Sequence, residues 1–210
     1  MRRLSLLVLV CVLAACGGKS TPKTTTDAAG CVPMSAPKAA SRTGQKPTKP
    51  LAAAKTYDVT MRTNCGTFTI QLDQKQSPNA AASFVALVQS GYFDKTIFHR
   101  IAVGFVIQGG DPTQTGTGGP GYTTVDKPPA GAVYVHGVVA MAKTGAQAAG
   151  TAGSQFFVVT VANAGLPPDY AIIGKVTKGL GVVDRIGKLG NANEQPTEVV
   201  EIEKATVSTS

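Results

Sequence analysis

The 210-residue sequence contains no tryptophan and only two histidines, His99 and His136. These scarcities exclude several kinds of chemistry. The histidines stand far apart, and neither falls in ligand spacing with cysteine or carboxylate, so no metal site and no cofactor is expected. Ser154 lies in Gly153-Ser154-Gln155 rather than in a Gly-x-Ser-x-Gly elbow, so the signature of a nucleophilic hydrolase is missing. Gly116-Thr117-Gly118-Gly119-Pro120-Gly121 is glycine-rich without a following Lys-Ser/Thr, which argues for a surface loop rather than a phosphate cradle. The apolar run from Leu4 to Leu13 is too short to span a bilayer comfortably. No internal repeat is present, and the length suits one domain with an appendage.

Acidic charge is scarce only at one end. The chain has 20 basic and 12 acidic side chains, a formal net charge of +8. Arg2 and Arg3, with Lys19, Lys23, Lys38, Arg42, Lys46, Lys49 and Lys55, hold the whole excess against Asp27. Residues 56–210 are formally neutral, so nucleic acid is not an expected partner.

What is present is mainly β pattern. Tyr57–Met61 and Thr67–Leu72 alternate with period two around Asn64-Cys65-Gly66, the signature of a hairpin. Ser77-Pro78 opens a helix as N-cap and first helical residue, Ala80 to Val88 supply its apolar face, and Gly91 ends it. Further strands are expected over Thr96–Ile101, Phe105–Gln108, Val133–Met141, Gln155–Val161, Ala171–Val176 and Val199–Val207, with a short helix at Leu180–Ile186. About eight short strands and two helices suit a closed eight-stranded antiparallel β-barrel capped by two α-helices, because closure removes free edges.

Met1-Arg2-Arg3 and the apolar run read as an export signal. Leu13-Ala14-Ala15-Cys16 resembles the lipobox of bacterial lipoproteins. That resemblance implies removal of residues 1–15, acylation of Cys16 and a place on the extracytoplasmic face of the cell membrane. A single acyl chain anchors only marginally, so more than one is implied. Residues 16–55 then form the lipidated cysteine and a basic tether, too poor in apolar residues to offset its ordering entropy and therefore expected to be disordered. Its lysines could touch anionic headgroups or simply keep a spacer solvated. With Cys11 in the signal and Cys16 acylated, an oxidising compartment leaves Cys31 and Cys65 to pair, a bridge worth about 3–4 kcal/mol in the chain-entropy picture.

The chemistry concentrates in two clusters, Phe98-His99-Arg100 with Phe105-x-x-Gln108-Gly109-Gly110-Asp111, and Gly153-Ser154-Gln155-Phe156-Phe157. A permanent cation beside neutral amides and aromatics, with no hydrolytic signature around Ser154, suits a reaction that only twists a bond. The peptide bond preceding proline is such a case. Its barrier is roughly 18–20 kcal/mol. A fixed cation beside the proline nitrogen stabilises the twisted state more than either planar one. A ~10⁵-fold acceleration requires about 7 kcal/mol from such effects together.

Over residues 56–207 these motifs, with Gly116-Thr117-Gly118-Gly119 between them, resemble the cyclophilins, the family of peptidyl-prolyl cis-trans isomerases. The resemblance implies that Arg100 supplies the catalytic guanidinium and that Gln108 orients it or the substrate carbonyl. It implies that Phe105, Val106, Phe157 and Leu166 line the proline pocket, that Ala142 and Lys143 bind substrate backbone, and that Gln155 and Tyr170 face the groove. Phe156 reads as core, His99 as structural, and His136 has no assigned role. Val106 replaces the methionine of many relatives, Lys143 their asparagine, Gly165 the familiar tryptophan and Tyr170 the histidine of animal members. Leu166-Pro167-Pro168-Asp169-Tyr170 resembles bacterial members. Loss of the tryptophan implies weak binding of cyclosporin. The expected protein is a monomeric isomerase of X-Pro bonds in exported proteins. The alternatives are a tethered proline-segment binding module or chaperone with little turnover, and a solute-binding or structural surface lipoprotein.

Overall fold

A computed structural model describes Thr26, Asp27 and residues 30–210. The signal segment and Cys16 lie outside the described residues. The chain runs β1 (Tyr57–Thr63), β2 (Gly66–Leu72), α1 (Pro78–Gln89), β3 (Thr96–Ile97), β4 (Arg100–Ala102), β5 (Val106–Gly109), β6 (Thr124–Val125), β7 (Val138–Met141), β8 (Thr151–Ala152), β9 (Phe156–Val159), β10 (Ile172–Lys178), α2 (Leu180–Ile186) and β11 (Glu201–Thr209). In β1 the alternation is literal: Val59 and Met61 are fully buried while Asp58, Thr60 and Arg62 are not.

Nine strands form one curled sheet in the order β3-β11-β1-β2-β10-β7-β9-β5-β4, with β6 and β8 paired separately. This corrects the expected closed eight-stranded barrel, because the ladder is open between β3 and β4. The single strand expected over Thr96–Ile101 is broken at Phe98-His99, so that Thr96 and Ile97 pair with β11 and Arg100 onward pairs with β5. The outer edge of β4 is covered by a loop instead of a strand. The Ile101 N–H donates to the Glu194 carbonyl at 2.8 Å, and a Cβ on Gly190 would collide with the Ile101 carbonyl. The strand expected from Val133 starts only at Val138, since Val135 makes an isolated bridge to Asn163. β6 and β8, two residues each, are too short to leave a periodic signal.

The sheet separates two apolar clusters. One face joins Ile101, Ile107, Met141, Phe156 and Val158 to the helices, with Phe84, Phe93, Phe98 and Phe156 in edge-on or tilted ring contacts. The other carries Ala102, Val106, Ala140, Phe157 and Val159. Helix α1 ends in a Schellman arrangement, Gly91 N–H to Val88 O and Tyr92 N–H to Leu87 O, with Gly91 at φ 71°. Its start differs from expectation. Ser77 makes no side-chain cap, and the Asp126 carboxylate instead accepts the Ala80 N–H at 2.6 Å and the Asn79 amide at 2.8 Å. A carboxylate there satisfies an orphan donor and faces the positive end of the helix dipole.

Residues 30–55 correct the expectation of a disordered tether. They form neither helix nor strand, yet they lie as a strap along the domain. Cys31 is disulfide-bonded to Cys65, and Val32 and Asn64 exchange backbone and side-chain hydrogen bonds. Ala40 and Gly44 donate to the Pro112 and Pro120 carbonyls, and Arg42 Nη1 donates to the Tyr92 and Asp94 carbonyls at 2.6 Å each. Composition could not reveal this, because the order comes from backbone pairing, one bridge and one arginine rather than from an apolar period.

Candidate active site

Antiparallel register builds the site as a row. Arg100 on β4 stands opposite Gln108 on β5, Gln108 opposite Phe157 on β9, Phe157 opposite Ala140 on β7, and Ala140 opposite Ile172 on β10. Directly opposed residues share a face. The row therefore lies on the side of the sheet away from the helices, and it grades from a cation through an amide to aromatic and aliphatic groups.

At the polar end, donors and acceptors are fixed in series. Arg100 Nε donates to Glu194 Oε2 at 2.6 Å and Nη1 donates to Gln108 Oε1 at 3.2 Å, while the guanidinium carbon lies 5.9 Å from the Phe105 ring centre. Gln108 Nε2 donates to Gln155 Oε1 at 3.0 Å, and Gln155 Nε2 donates to the Gly118 carbonyl at 2.9 Å. The Gly118 carbonyl can only accept, and the guanidinium can only donate. Those two ends set the orientation of both glutamine amides.

Gly118 is held by Asp111. This buried carboxylate accepts the N–H groups of Thr113, Gly116 and Gly118 at 2.7, 2.8 and 3.0 Å, and the Thr113 hydroxyl at 2.7 Å. Burial by itself would raise the Asp111 pKa, but these bonds together outweigh it and hold the carboxyl below its ordinary value. A Cβ at Gly118 would overlap Asp111, so the loop closes this tightly only with glycine. From its other side the strap braces the same loop, as Gln114 donates to the Pro37 carbonyl and Lys46 to the Thr123 carbonyl. His99 is largely buried beside Gly116, and burial holds its imidazole below the usual pKa against the opposing influence of Asp111.

The apolar end is a floor of buried Val106 and Phe157 with partly buried Phe105, Leu166 and Tyr170 packed against it. Tyr134 and Tyr170 meet the Phe157 ring at centre distances of 6.3 and 5.5 Å. The Tyr134 hydroxyl donates to the Tyr170 carbonyl and accepts the Tyr170 N–H, at 2.7 and 2.9 Å. Beside the glutamines runs a cleft of about 570 Å³, with Gln108, Gly118, Ala142, Lys143 and Gln155 in its walls. A larger depression, about 810 Å³, is lined by Ile172 at the apolar end of the row but by none of the candidate catalytic or substrate-binding residues.

The structure thus brings together Arg100, Phe105, Val106, Gln108, Gln155, Phe157, Leu166 and Tyr170. Ala142 donates its N–H to the Gln155 carbonyl, which fixes the adjoining strand end. Lys143 behaves differently, because its side chain is buried and turned to Asp169 at 2.5 Å, over the Tyr170 ring. His136 pairs with Asp184 at 2.6 Å, outside the row. Among the described residues one group, Asp27, Cys31 and Glu198, gathers three possible metal-ligand atoms, two carboxylate oxygens and one sulfur, but the Cys31 sulfur is already in the disulfide. Sequence reasoning missed Glu194, Tyr134 and the loop-building role of Asp111. Only Asp111, next to a glycine-rich run, had a local signal.

Residues 58–207 match the family model described as cyclophilin type peptidyl-prolyl cis-trans isomerase/CLD. The chain belongs to the cyclophilin family. It is similar to a peptidyl-prolyl cis-trans isomerase-like 1 of Neurospora crassa, 40% identical over 155 residues that cover 71% of this chain and 93% of that protein. A peptidyl-prolyl cis-trans isomerase of Helicobacter pylori is 38% identical over 139 residues, covering 63% and 82%. Among solved structures, a Cryptosporidium parvum cyclophilin crystallised in the presence of the dipeptide Ala-Pro superposes with a TM-score of 0.66 at 33% identity, covering 72% of this chain and 98% of that one. As a cyclophilin the chain is an isomerase that acts on the peptide bond preceding proline. These similar proteins are fungal and protozoan as well as bacterial, and the family match starts at residue 58. Family membership therefore does not carry the expected lipoprotein form.

Proposed function

We propose that this cyclophilin isomerises X-Pro bonds in exported polypeptides, with Arg100 as its catalytic residue and Gln108 as the group that orients it. The observation that carries this reading is the Arg100–Gln108–Phe157 row, a fixed cation and a fixed amide leading directly into an apolar floor. A pyrrolidine ring seated on Phe157, Val106, Phe105 and Leu166 would bring its nitrogen toward the guanidinium. Nε and one Nη1 hydrogen of Arg100 are engaged by Glu194 and Gln108, which leaves Nη2 for the substrate. As the bond twists, the nitrogen pyramidalises and its lone pair becomes an acceptor for that donor. The planar ground states offer no such lone pair, so the interaction lowers the barrier selectively. Gln155 and the backbone at Ala142 and Lys143 would hold the residues preceding proline in the adjoining cleft.

The export half of the reading rests on the sequence, through the Leu13-Ala14-Ala15-Cys16 motif, and is supported by the Cys31–Cys65 disulfide, a bond that persists in oxidising compartments. In this reading Cys16 carries the acyl anchor, the enzyme works as a monomer on the extracytoplasmic membrane face, and the strap from residue 30 onward stands between anchor and groove.

Two experiments test the two halves. NMR exchange on an Ala-Pro peptide should show fast interconversion with the full chain and its collapse with Arg100→Ala; a folded protein without acceleration would replace the enzyme by a proline-segment binder. Fractionation of cells expressing Cys16→Ser should move the protein from membrane to soluble fractions. Continued membrane attachment would remove the lipid anchor from the proposal.

A further inference from the structure

We propose that Glu194 is a positioning residue for Arg100, a role that deepens the catalytic reading above and rests on it. An arginine at the end of β4 has four rotatable side-chain bonds, and its side chain is one-third exposed. Gln108 restrains only Nη1, and the Phe105 ring lies against the guanidinium from one direction. One hydrogen bond at 3.2 Å and one ring contact leave the guanidinium able to pivot about Nη1, and neither stops that motion. Glu194 Oε2 does so by accepting from Nε, the nitrogen on the far side of the central carbon from the Nη1 contact, at 2.6 Å. A charge-assisted bond of that length is the strongest restraint on Arg100.

The loop is built to deliver this carboxylate. Asn191 Oδ1 accepts the N–H groups of Asn193 and Gln195 at 2.9 and 3.0 Å, Asn191 N–H donates to the Gln195 carbonyl, and Glu194 N–H donates to the Asn191 carbonyl. Glu194 adopts φ 59°, a left-handed conformation uncommon for a residue with a side chain. Its carbonyl then accepts the Ile101 N–H at 2.8 Å while its carboxylate takes Arg100. Backbone and side chain of one residue thus grip two consecutive residues of β4. The carboxylate is also half-exposed, and ion pairs in that setting contribute little to stability. A contact so well made and so nearly neutral for stability finds its use in orienting the cation.

The test uses the full chain with Glu194→Ala and Glu194→Gln, steady-state exchange kinetics on an Ala-Pro peptide, melting temperatures, and the ¹⁵Nε–¹Hε resonance of Arg100. Glu194→Ala should lower kcat about tenfold with KM within about twofold, since misplacement of a catalytic group acts on the transition state. Its melting temperature should move by no more than about 3 °C. Glu194→Gln keeps an acceptor and should recover turnover to within about threefold of the parent. The Arg100 Nε–H resonance should shift upfield in Glu194→Ala and only partly so in Glu194→Gln. Unchanged kcat in Glu194→Ala overturns the proposal, as does a tenfold loss that Glu194→Gln fails to recover. A large melting-temperature drop in both variants would make Glu194 a structural residue and also overturn it. If the parent itself shows no turnover, the isomerase reading fails separately, and the Arg100 resonance still decides whether Glu194 holds the guanidinium.

Discussion

The two ends of the groove are made from one row of residues on one face of one sheet, yet different physics holds them. The apolar end, around Phe157, Val106 and Tyr134, is fixed by packing: Val106 and Phe157 are 2% and 4% exposed, and three aromatic rings meet edge-on or tilted. The polar end, around Arg100, Gln108 and Gln155, is half-buried and fixed by hydrogen bonds whose directions are imposed by the Gly118 carbonyl at one side and the guanidinium, itself held by Glu194, at the other. Packing is non-directional and resists loss of volume, whereas the hydrogen-bonded series resists loss of a single donor or acceptor. The comparison teaches that the two ends should fail differently, one in stability and substrate affinity, the other in turnover with the fold intact.

The sharpest break in that comparison is Arg100→Ala. It should lower kcat/KM by about 10²–10³-fold, the usual loss when a fixed donor to developing charge is removed, with no cooperative change in thermal unfolding. Gly118→Ala comes next. The added Cβ must displace Asp111 or the Gly118 carbonyl, so Gln155 loses its anchor; peptide exchange should slow about tenfold, with most of the loss in kcat. Phe157→Leu works from the other end. Chemical denaturation should show about 1–2 kcal/mol less stability and kinetics a raised KM with kcat nearly kept. A fall in kcat without a stability change would mean that the apolar end also orients the reacting bond.

The smallest effect is the pH dependence of the loop that anchors the polar end. His99 is held below its ordinary pKa, so the unfolded chain takes up that proton first and stability declines as pH falls below about 6.5 and through the depressed folded value. Asp111 is also held below its ordinary value, so its contribution is complete above about pH 4 and is lost as pH falls through the folded pKa. Urea midpoints measured from pH 7.5 down to 3 should therefore fall in two steps, with the upper step absent in His99→Gln. A midpoint that rises between pH 7 and 5.5 would contradict the assignment to His99.

Much of the site was legible because its residues sit in short local motifs. Arg100, Gln108, Gln155 and Phe157 lie within two clusters that lack a hydrolytic signature, and strand alternation puts Gln108 and Phe157 on defined faces. Helix α1 was readable at its C-terminal end, where Gly91 acts locally, and misread at its start, where the cap comes from Asp126, 46 residues away. The open ladder between β3 and β4 was not legible either. Periodicity ran through Phe98-His99, and nothing local announced that the edge of β4 would be covered by residues 190–196. The strap failed as a reading for a related reason, since composition measures apolar content and residues 30–55 are held by backbone bonds, Arg42 and a disulfide.

By itself the sequence determined the β-rich class, the hairpin, the two helices, the groove motifs and the family they resemble, because each depends on residues within a few positions of one another. Tertiary structure alone decided which glutamine amide faces which partner, that Asp111 ties the loop carrying Gly118, that Lys143 turns to Asp169, and that Glu194 reaches Arg100. Periodicity and turn chemistry are local interactions and leave a trace in order along the chain. Hydrogen-bond direction and long-range ion pairs depend on distances of a few ångströms between residues far apart in the chain, such as Arg100 and Glu194, 94 positions apart. Only the folded chain sets those distances.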